Sequence, residues 1–300
     1  MGNTGRVPEL PDVVVYLEAL DRHVGGQTLE KVRIKGIAVL QTFDPPLSAI
    51  EGRPVQGTRR LGKRLILDFG DELFLVIHLM VAGRLQWRDR GAKHGAIGLA
   101  AFDFPEGTLL LTEAAKKKRA RLWVVRGEDH LAEDHDRGGL EPLEIDRDAF
   151  AERLTETNRT LKRALTNPRA FSGIGNAYSD EILLHAKLSP VRRTGQLSDD
   201  EIDRLFAAVQ NSLVEWTERL RAETGDGFPR KVTAFRDDMI VHGKFGQPCA
   251  VCETPVQRIV YAANEVNYCP KCQTEGRVLA DRSLSRLLKD DWPRSIDELD

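Results

Sequence analysis

The sequence is missing several features, and each absence excludes a class of protein. There is no long hydrophobic run: the longest apolar stretch, Leu73 to Ala82, is broken by His78 and is about half the length of a membrane span. There is little net charge, 44 Lys+Arg against 46 Asp+Glu leaving −2, so bulk electrostatics announce no polyanionic partner. The first residues, MGNTGR, lack the apolar segment of a secretory signal, and no internal repeat or low-complexity tract is visible in the 300 residues. With 41% apolar and 30% charged residues, the chain has the profile of a globular protein of about two domains. A membrane protein, a secreted disulfide scaffold and a disordered chain are excluded, and a cytoplasmic setting is expected. What charge asymmetry exists is terminal: residues 289–300 sum to −3, leaving +1 for the remainder.

Cysteine is scarce and confined. All four lie between 249 and 272, as Cys249-Ala-Val-Cys252 and Cys269-Pro-Lys-Cys272, with sixteen residues between the pairs. Two CxxC pairs at that separation match a tetrahedral four-thiolate zinc site, each pair supplying ligands from one tight turn. Two disulfides or a redox CxxC are the alternatives, and a reducing compartment together with the doubled motif disfavours both. Val256–Tyr261 and Glu265–Tyr268 read as two short strands around Ala-Ala-Asn, giving a hairpin too small to bury a core and therefore held by one structural Zn2+.

Hydrophobic period divides the rest. Runs over Leu29–Leu40, Arg64–Phe69, Leu73–Leu79, Ile97–Phe104, Thr108–Thr112 and Arg121–Val125, separated by turns such as Gly70-Asp71 and Pro105-Glu-Gly107, predict antiparallel hairpins in a sandwich or barrel. One helix precedes them, with Asp12 as its cap over Val13–Val24. After Gly138-Gly139 the pattern turns helical: Asp146 caps a helix through Leu154, others follow at Arg159–Thr166 and Asn176–Ala186, and Ser198-Asp-Asp-Glu201 is a capping box opening a long helix to about Glu223.

Three clusters bear on chemistry. Phe171-Ser-Gly-Ile-Gly-Asn-Ala177 leads into a helix, as either an ordinary turn or a phosphate-binding loop. Arg59–Arg64 and Lys116–Arg121 are basic clusters on apolar β segments, either solvated edges or a surface facing a polyanion. His78, inside an apolar strand, reads by itself as a core histidine.

From Pro8-Glu-Leu-Pro-Asp12 onward the sequence resembles the formamidopyrimidine-DNA glycosylase / endonuclease VIII family of DNA-repair enzymes. The resemblance runs from Pro8 to about Gln273 through Lys63 in RRLGKRLIL, His78-Leu79, Ala82-Gly83, Lys93-His94, Gly139–Leu143, Gly173-Ile-Gly-Asn-Ala-Tyr178 with Glu181, and Gly246-Gln-Pro-Cys249 to Cys272. It implies an α+β architecture: an N-terminal antiparallel β-sandwich over 8–135 after a leader of 1–7, a helix–two-turn–helix domain over 144–236, and a four-cysteine zinc hairpin over 240–273. An acidic tail, 274–300, lies beyond it, with Leu284, Leu287 and Leu288 suggesting a short amphipathic helix.

The resemblance also implies a reaction. The terminal proline, a secondary amine, attacks the sugar C1′, expels the damaged base and forms an iminium. An α-amino group titrates near ~8 against ~10.4 for lysine, so more of it is neutral at pH 7. Glu9 shuttles protons, and Lys63 assists from the opposite side. His78, Val81, His94, Lys116, Lys117, Asn176, Tyr178, Arg258 and Asn264 are the positions implied to meet DNA, whose target nucleotide is rotated out of the duplex. The partner is damaged double-stranded DNA, bound by a monomer near the nucleoid.

Four departures from the family pattern set further expectations. Seven residues precede Pro8, and an internal proline nitrogen is an amide with no nucleophilic lone pair, unless Val7 marks a GTG start codon and initiator removal exposes Pro8. The family's Asp-Pro-Arg-Arg-Phe loop is replaced by Thr112-Glu-Ala-Ala-Lys-Lys-Lys-Arg119. The intercalating Met position holds Val81, with Met80 one residue early. The hairpin Arg position holds Asn264, so a second (δ) elimination is in question, with Arg258 as the compensating cation. A bifunctional glycosylase and abasic-site lyase is expected. The alternatives are a lesion-binding protein of the same fold without lyase activity, and an unrelated zinc-hairpin protein acting on RNA.

Overall fold

Helix α1 (Leu10–Val24) opens with a reciprocal cap: the Glu9 backbone N–H donates to the Asp12 carboxylate at 3.0 Å, and the Glu9 carboxylate accepts from the Asp12 backbone. Glu9 rather than Asp12 is therefore the cap, and the helix starts three residues earlier than the sequence reading placed it. Pro11 is compatible with this, because the first turn of a helix has no partner for its N–H groups. The computed structural model describes residues 7–230, 232, 236–261, 264–281 and 293–299. Residues 282–292, which include Leu284, Leu287 and Leu288, lie outside them.

The chain divides into two compact units, residues 7–137 with 216–233 and residues 138–215 with 234–300. In the first, β1 (Lys31–Ile34), β2 (Gly57–Leu61), β3 (Arg64–Asp68), β4 (Leu73–His78), β5 (Gly83–Arg88), β6 (Gly98–Phe104), β7 (Gly107–Glu113) and β8 (Arg121–Arg126) form two four-stranded sheets. Their orders are β1-β6-β7-β5 and β2-β3-β4-β8, antiparallel throughout. Leu65, Leu67, Leu75, Ile77, Leu122 and Val124 of one sheet share a core with Phe102, Leu109 and Leu111 of the other, and Tyr16, Leu20 and Val24 of α1 join it. The sandwich is thus closed by a helix as well as by sheet-on-sheet packing.

β4 is apolar on both faces because it is covered on both. Leu73, Leu75 and Ile77 face the main core, while Phe74 and Val76 pack with Ile66, Val125 and Leu131 in a second cluster under α2 (Glu128–His135). α2, β2 and β5 are absent from the sequence reading: Arg59-Arg60 breaks the alternation in β2, whereas Arg84-Leu85-Gln86-Trp87-Arg88 of β5 alternates strictly and carries the strand signal. The run Leu29–Leu40 is a strand only to Ile34, then a 3-10 turn over Ile37–Val39 after Gly36.

The second unit holds α3 (Arg147–Thr155), α4 (Leu161–Leu165), α5 (Asn176–His185), the first part of α6 (Asp199–Thr224), the strands β9 (Gln257–Tyr261) and β10 (Asn264–Tyr268), and α7 (Pro270–Thr274). The Asp146 carboxylate caps α3 by accepting from the Ala149 N–H, and Ser198 and Glu201 cap α6 reciprocally at 2.9 and 3.3 Å, as their spacing predicts. From Trp216 onward α6 belongs to the β-rich unit, where Arg221 holds Glu18 of α1 at 2.6 Å. The α+β class, the antiparallel sandwich, the helical region and the four-cysteine hairpin expected from sequence are all present. No helix among the described residues is long and apolar enough to cross a membrane.

Candidate functional sites

At the front of the β-rich unit, Pro8 and Glu9 are buried immediately before α1, with Glu9 2% exposed and its carboxylate held at the helix start. Helix α1 packs along β2 and β3, whose connecting turn is Gly62-Lys63. Gly62 has φ +61°, a left-handed conformation that leaves Lys63 half-buried at the strand end. There His78 stands opposite Arg64 on one side and Arg121 on the other. Burial, reinforced by Arg64, Lys63 and His135, lowers the His78 pKa to about 3. The ring is therefore neutral, its Nδ1 accepting the Met80 N–H at 3.1 Å, which leaves Nε2–H as its donor.

The β4–β5 turn carries Met80 and Val81, both half-buried, and Met80 sits at φ +53°, a conformation uncommon outside glycine. His94 lies in the loop before β6, where its Nε2 bonds the Arg33 carbonyl at 2.7 Å. That loop is tied down from β1: Arg33 makes a bidentate pair with Asp103 at 2.6 and 2.7 Å and reaches the Ala92 carbonyl, and Lys35 holds the Gly95 carbonyl at 2.8 Å. A Cβ on Gly98 would stand 2.1 Å from the His94 carbonyl oxygen, so the approach requires glycine. Arg33 escaped the sequence reading because a lone charge on a short strand has no pattern.

The segment after β7 curls around Glu113. Its carboxylate accepts the backbone N–H groups of Arg119 and Ala120 at 2.7 and 3.0 Å, and Lys118 returns to the Glu113 carbonyl. This lasso presents Lys116 and Lys117 to solvent.

In the other unit, the loop before α5 turns through Gly173 at φ +79°. Asn176, half-buried, opens the helix and donates through Nδ2 to the Glu265 carbonyl at 2.9 Å, joining the helix start to the hairpin. Tyr178, expected at the DNA, is wholly buried, so it holds α5 from within and presents no surface. Two adjacent acids on α5 are buried as well. Asp180 takes Lys162 Nζ at 2.5 Å, His242 Nδ1 at 2.8 Å and the Asn267 N–H at 3.2 Å. Burial alone would raise its pKa, but the Lys162 charge and the His242 bond overcome this and lower it. Glu181 accepts the backbone N–H groups of Ile240, Val241 and His242, each at 2.9 Å. Lys162 also reaches the Asn176 carbonyl at 2.5 Å, so one cation links α4 to the start of α5. Lys162 and His242 were not singled out from sequence; the only signal was a charged Asp-Glu pair in an otherwise apolar helix.

The four cysteine Sγ atoms lie within 4.8 Å of one another, Cys252 being 3.3 Å from Cys269 and 3.4 Å from Cys272. A tetrahedral ZnS4 centre with bonds of about 2.3 Å needs sulfurs about 3.8 Å apart, so the donor set fits one zinc ion. Burial holds the Cys269 thiol above its ordinary range and Cys272 at about 11, so a cation is what makes these sulfurs thiolates. With no protein-free ligand position, the site is structural. On the hairpin, Arg258 is exposed but engaged, its guanidinium 4.3 Å over the Phe245 ring and 3.4 Å from Glu265. Asn264 opens β10, and its side chain lies outside the described residues.

Comparison with known proteins agrees with these parts in chain order. The Formamidopyrimidine-DNA glycosylase N-terminal domain model matches residues 7–122, the corresponding H2TH domain 139–223, and the zinc finger found in FPG and IleRS 246–274. A formamidopyrimidine-DNA glycosylase of Listeria innocua is 29% identical over 277 residues, covering 89% of this chain and 100% of its own. One from Bacillus cereus is 28% identical over 274 residues, covering 89% and 99%. Among solved structures, MutM bound to carbocyclic 8-oxo-G DNA superimposes with TM-score 0.79 at 25% identity over 89% of this chain and 100% of that one. Lactococcus lactis Fpg bound to abasic-site DNA gives 0.77 at 25%, covering 89% and 99%. With a capped helix behind Pro8-Glu9, a glycine-led helix start and a four-thiol hairpin matched in succession by these models, the chain belongs to the formamidopyrimidine-DNA glycosylase / endonuclease VIII family.

Proposed function

We propose that this protein is a base-excision repair glycosylase that removes oxidised or ring-opened bases from duplex DNA and cleaves the resulting abasic site by β-elimination. The observation that carries the proposal is the buried Pro8-Glu9 pair at the start of α1, in the same unit as the cationic edge of Lys63, Arg64 and Arg121 that flanks the neutral His78. The Pro8 nitrogen lone pair forms a bond to C1′ while the C1′–N bond breaks, its electrons leaving with the base, which takes up a proton. The nitrogen then passes its own proton to the Glu9 carboxylate, the C1′–O4′ bond opens to give the iminium, and O4′ takes that proton from Glu9. The cationic nitrogen acidifies C2′, whose proton is removed as the 3′-phosphate departs. Water then hydrolyses the iminium and frees the protein.

Lys63 assists the reaction from the opposite side, and His78 and His94 face phosphates from the β-rich unit. Asn176, Lys116, Lys117 and Arg258 add backbone contacts, and Val81 supplies apolar bulk between bases. Zinc supplies the fixed shape of the hairpin, and Cys249, Cys252, Cys269 and Cys272 hold it. The working place is the cytoplasm, at the nucleoid.

A Pro8 inside a peptide bond cannot perform this chemistry, which favours lesion binding without lyase activity as the second reading for the chain as written. Borohydride trapping on duplex DNA with one abasic site separates the two. Covalent trapping is expected for a chain beginning at Pro8 and not for one retaining residues 1–7. Tight binding without trapping by either chain would establish the lesion-binding reading.

A further inference from the structure

Residues beyond Thr274 lie outside the family match, yet the described part of this extension is built onto the zinc hairpin. Leu279 packs against Ile259, Val266 and Tyr268, and its backbone N–H donates to the buried Tyr268 phenol oxygen at 2.7 Å. Asp281, 1% exposed, accepts the Val260 N–H at 2.6 Å. Among the described residues β9 has a strand neighbour on one side only, so Val260, paired with Glu265 across the hairpin, would otherwise offer an edge donor to solvent. The chain then returns. Arg277 and Ser295 form an antiparallel bridge, flanked by Val278 N–H to the Arg294 carbonyl at 2.9 Å and Ile296 N–H to the Gly276 carbonyl at 2.8 Å.

We infer that residues 276–281 and 293–299 form a brace that fixes the hairpin for DNA, and that Asp281 is a positioning residue acting through Val260 on the outer end of β9. The physical need is clear from the hairpin's construction. Two strands alone are marginally stable, and the four thiolates grip only the base of the ribbon, at Cys249, Cys252, Cys269 and Cys272. A carboxylate bond one residue from the end of β9 holds the far end, where a small displacement moves any group that meets a phosphate. The inference rests on the proposed DNA-repair reading, since a brace for DNA binding presupposes DNA.

The test uses the full chain carrying Asp281→Leu or Asp281→Asn. Affinity for a duplex with a tetrahydrofuran abasic analogue is measured by anisotropy, zinc by colorimetric release, and exchange of the Val260 amide by NMR. Loss of one charge-assisted bond is expected to weaken binding roughly tenfold in Asp281→Leu. Zinc stays at one per chain. Asp281→Asn keeps an acceptor oxygen and restores affinity to within about twofold of the parent. Val260 exchanges rapidly in the leucine variant alone. Parental affinity in Asp281→Leu overturns the inference, and so does affinity lost together with zinc, because the extension would then only maintain the metal site. If the parent chain shows no preference for damaged DNA, the functional reading fails, and unchanged Val260 protection in Asp281→Leu would still refute the brace on its own.

Discussion

Single side chains here are decided by what their second polar atom meets. His94 spends Nε2 on the Arg33 carbonyl, an acceptor, so Nε2 carries the proton and Nδ1 can donate to a phosphate only in the imidazolium form. His94→Ala removes the bond that ties this loop to the Arg33 carbonyl and should lower DNA affinity when its dissociation constant is measured beside the parent's. His78 and His135 act on stability instead. Burial is the first cause of both shifts, from 6.5 to about 3 and about 4 respectively, with Arg64 adding to each. Both rings are neutral when folded and charged when unfolded, so the unfolded chain binds more protons in this window. The stability they contribute is complete above 6.5 and is lost as pH falls towards 4 and 3. His135 packs edge-on against Trp123 at 5.0 Å with Nε2 buried and unbonded, so His135→Phe should lower the slope of Tm against pH below 6.5 without lowering Tm at neutrality.

At the level of elements, α5 is the joint of its unit, and its strength lies in charges placed where water is absent. Lys162 and Asp180 form a pair at 2.5 Å with side chains 9% and 0% exposed. Lys162→Met leaves the Asp180 carboxylate buried with a lost counter-ion, a change of about 3–5 kcal/mol, to be read as a drop in the urea midpoint. The hairpin depends on a different bond. Chelation of zinc should release β9 and β10 and abolish DNA binding, while the circular dichroism of the sandwich, whose core holds none of the four cysteines, is retained. The capping box at Ser198-Glu201 was legible in sequence, and the one at Glu9-Asp12 was not, because Asp is an ordinary cap residue and Asp12 reads as the cap where it is the third residue of the helix. β2 was not legible, since Arg59-Arg60 breaks the period on which strand reading depends, while β5 carries that period in Arg84-Leu85-Gln86-Trp87-Arg88 although the sequence reading leaves it out.

For the molecule as a whole, a net charge of −2 hides cationic surfaces, and these determine how binding responds to salt. The exposed pair Lys116 and Lys117, held out by the Glu113 lasso, gives two of the phosphate contacts proposed here. Each contact contributes about 0.9 to the slope of log K against log salt, so the double alanine variant should lower that slope by about 1.8.

The residues that act through their own covalent identity were determined by sequence alone. Four cysteines in two CxxC pairs specify a metal because a thiolate is a ligand wherever it is held, and Pro8 beside Glu9 specifies an amine and a carboxylate once the family resemblance supplies the reaction. What only tertiary structure decided is every role that depends on a partner far along the chain. Tyr178 is a core residue and not a contact. Arg258 is committed to Phe245 and Glu265, Arg33 anchors His94, and Asp281 reaches back to Val260 across 21 positions. The energy of each such contact comes from burial and from the pairing it completes, and neither is a property of a residue until the fold has brought its partner to it.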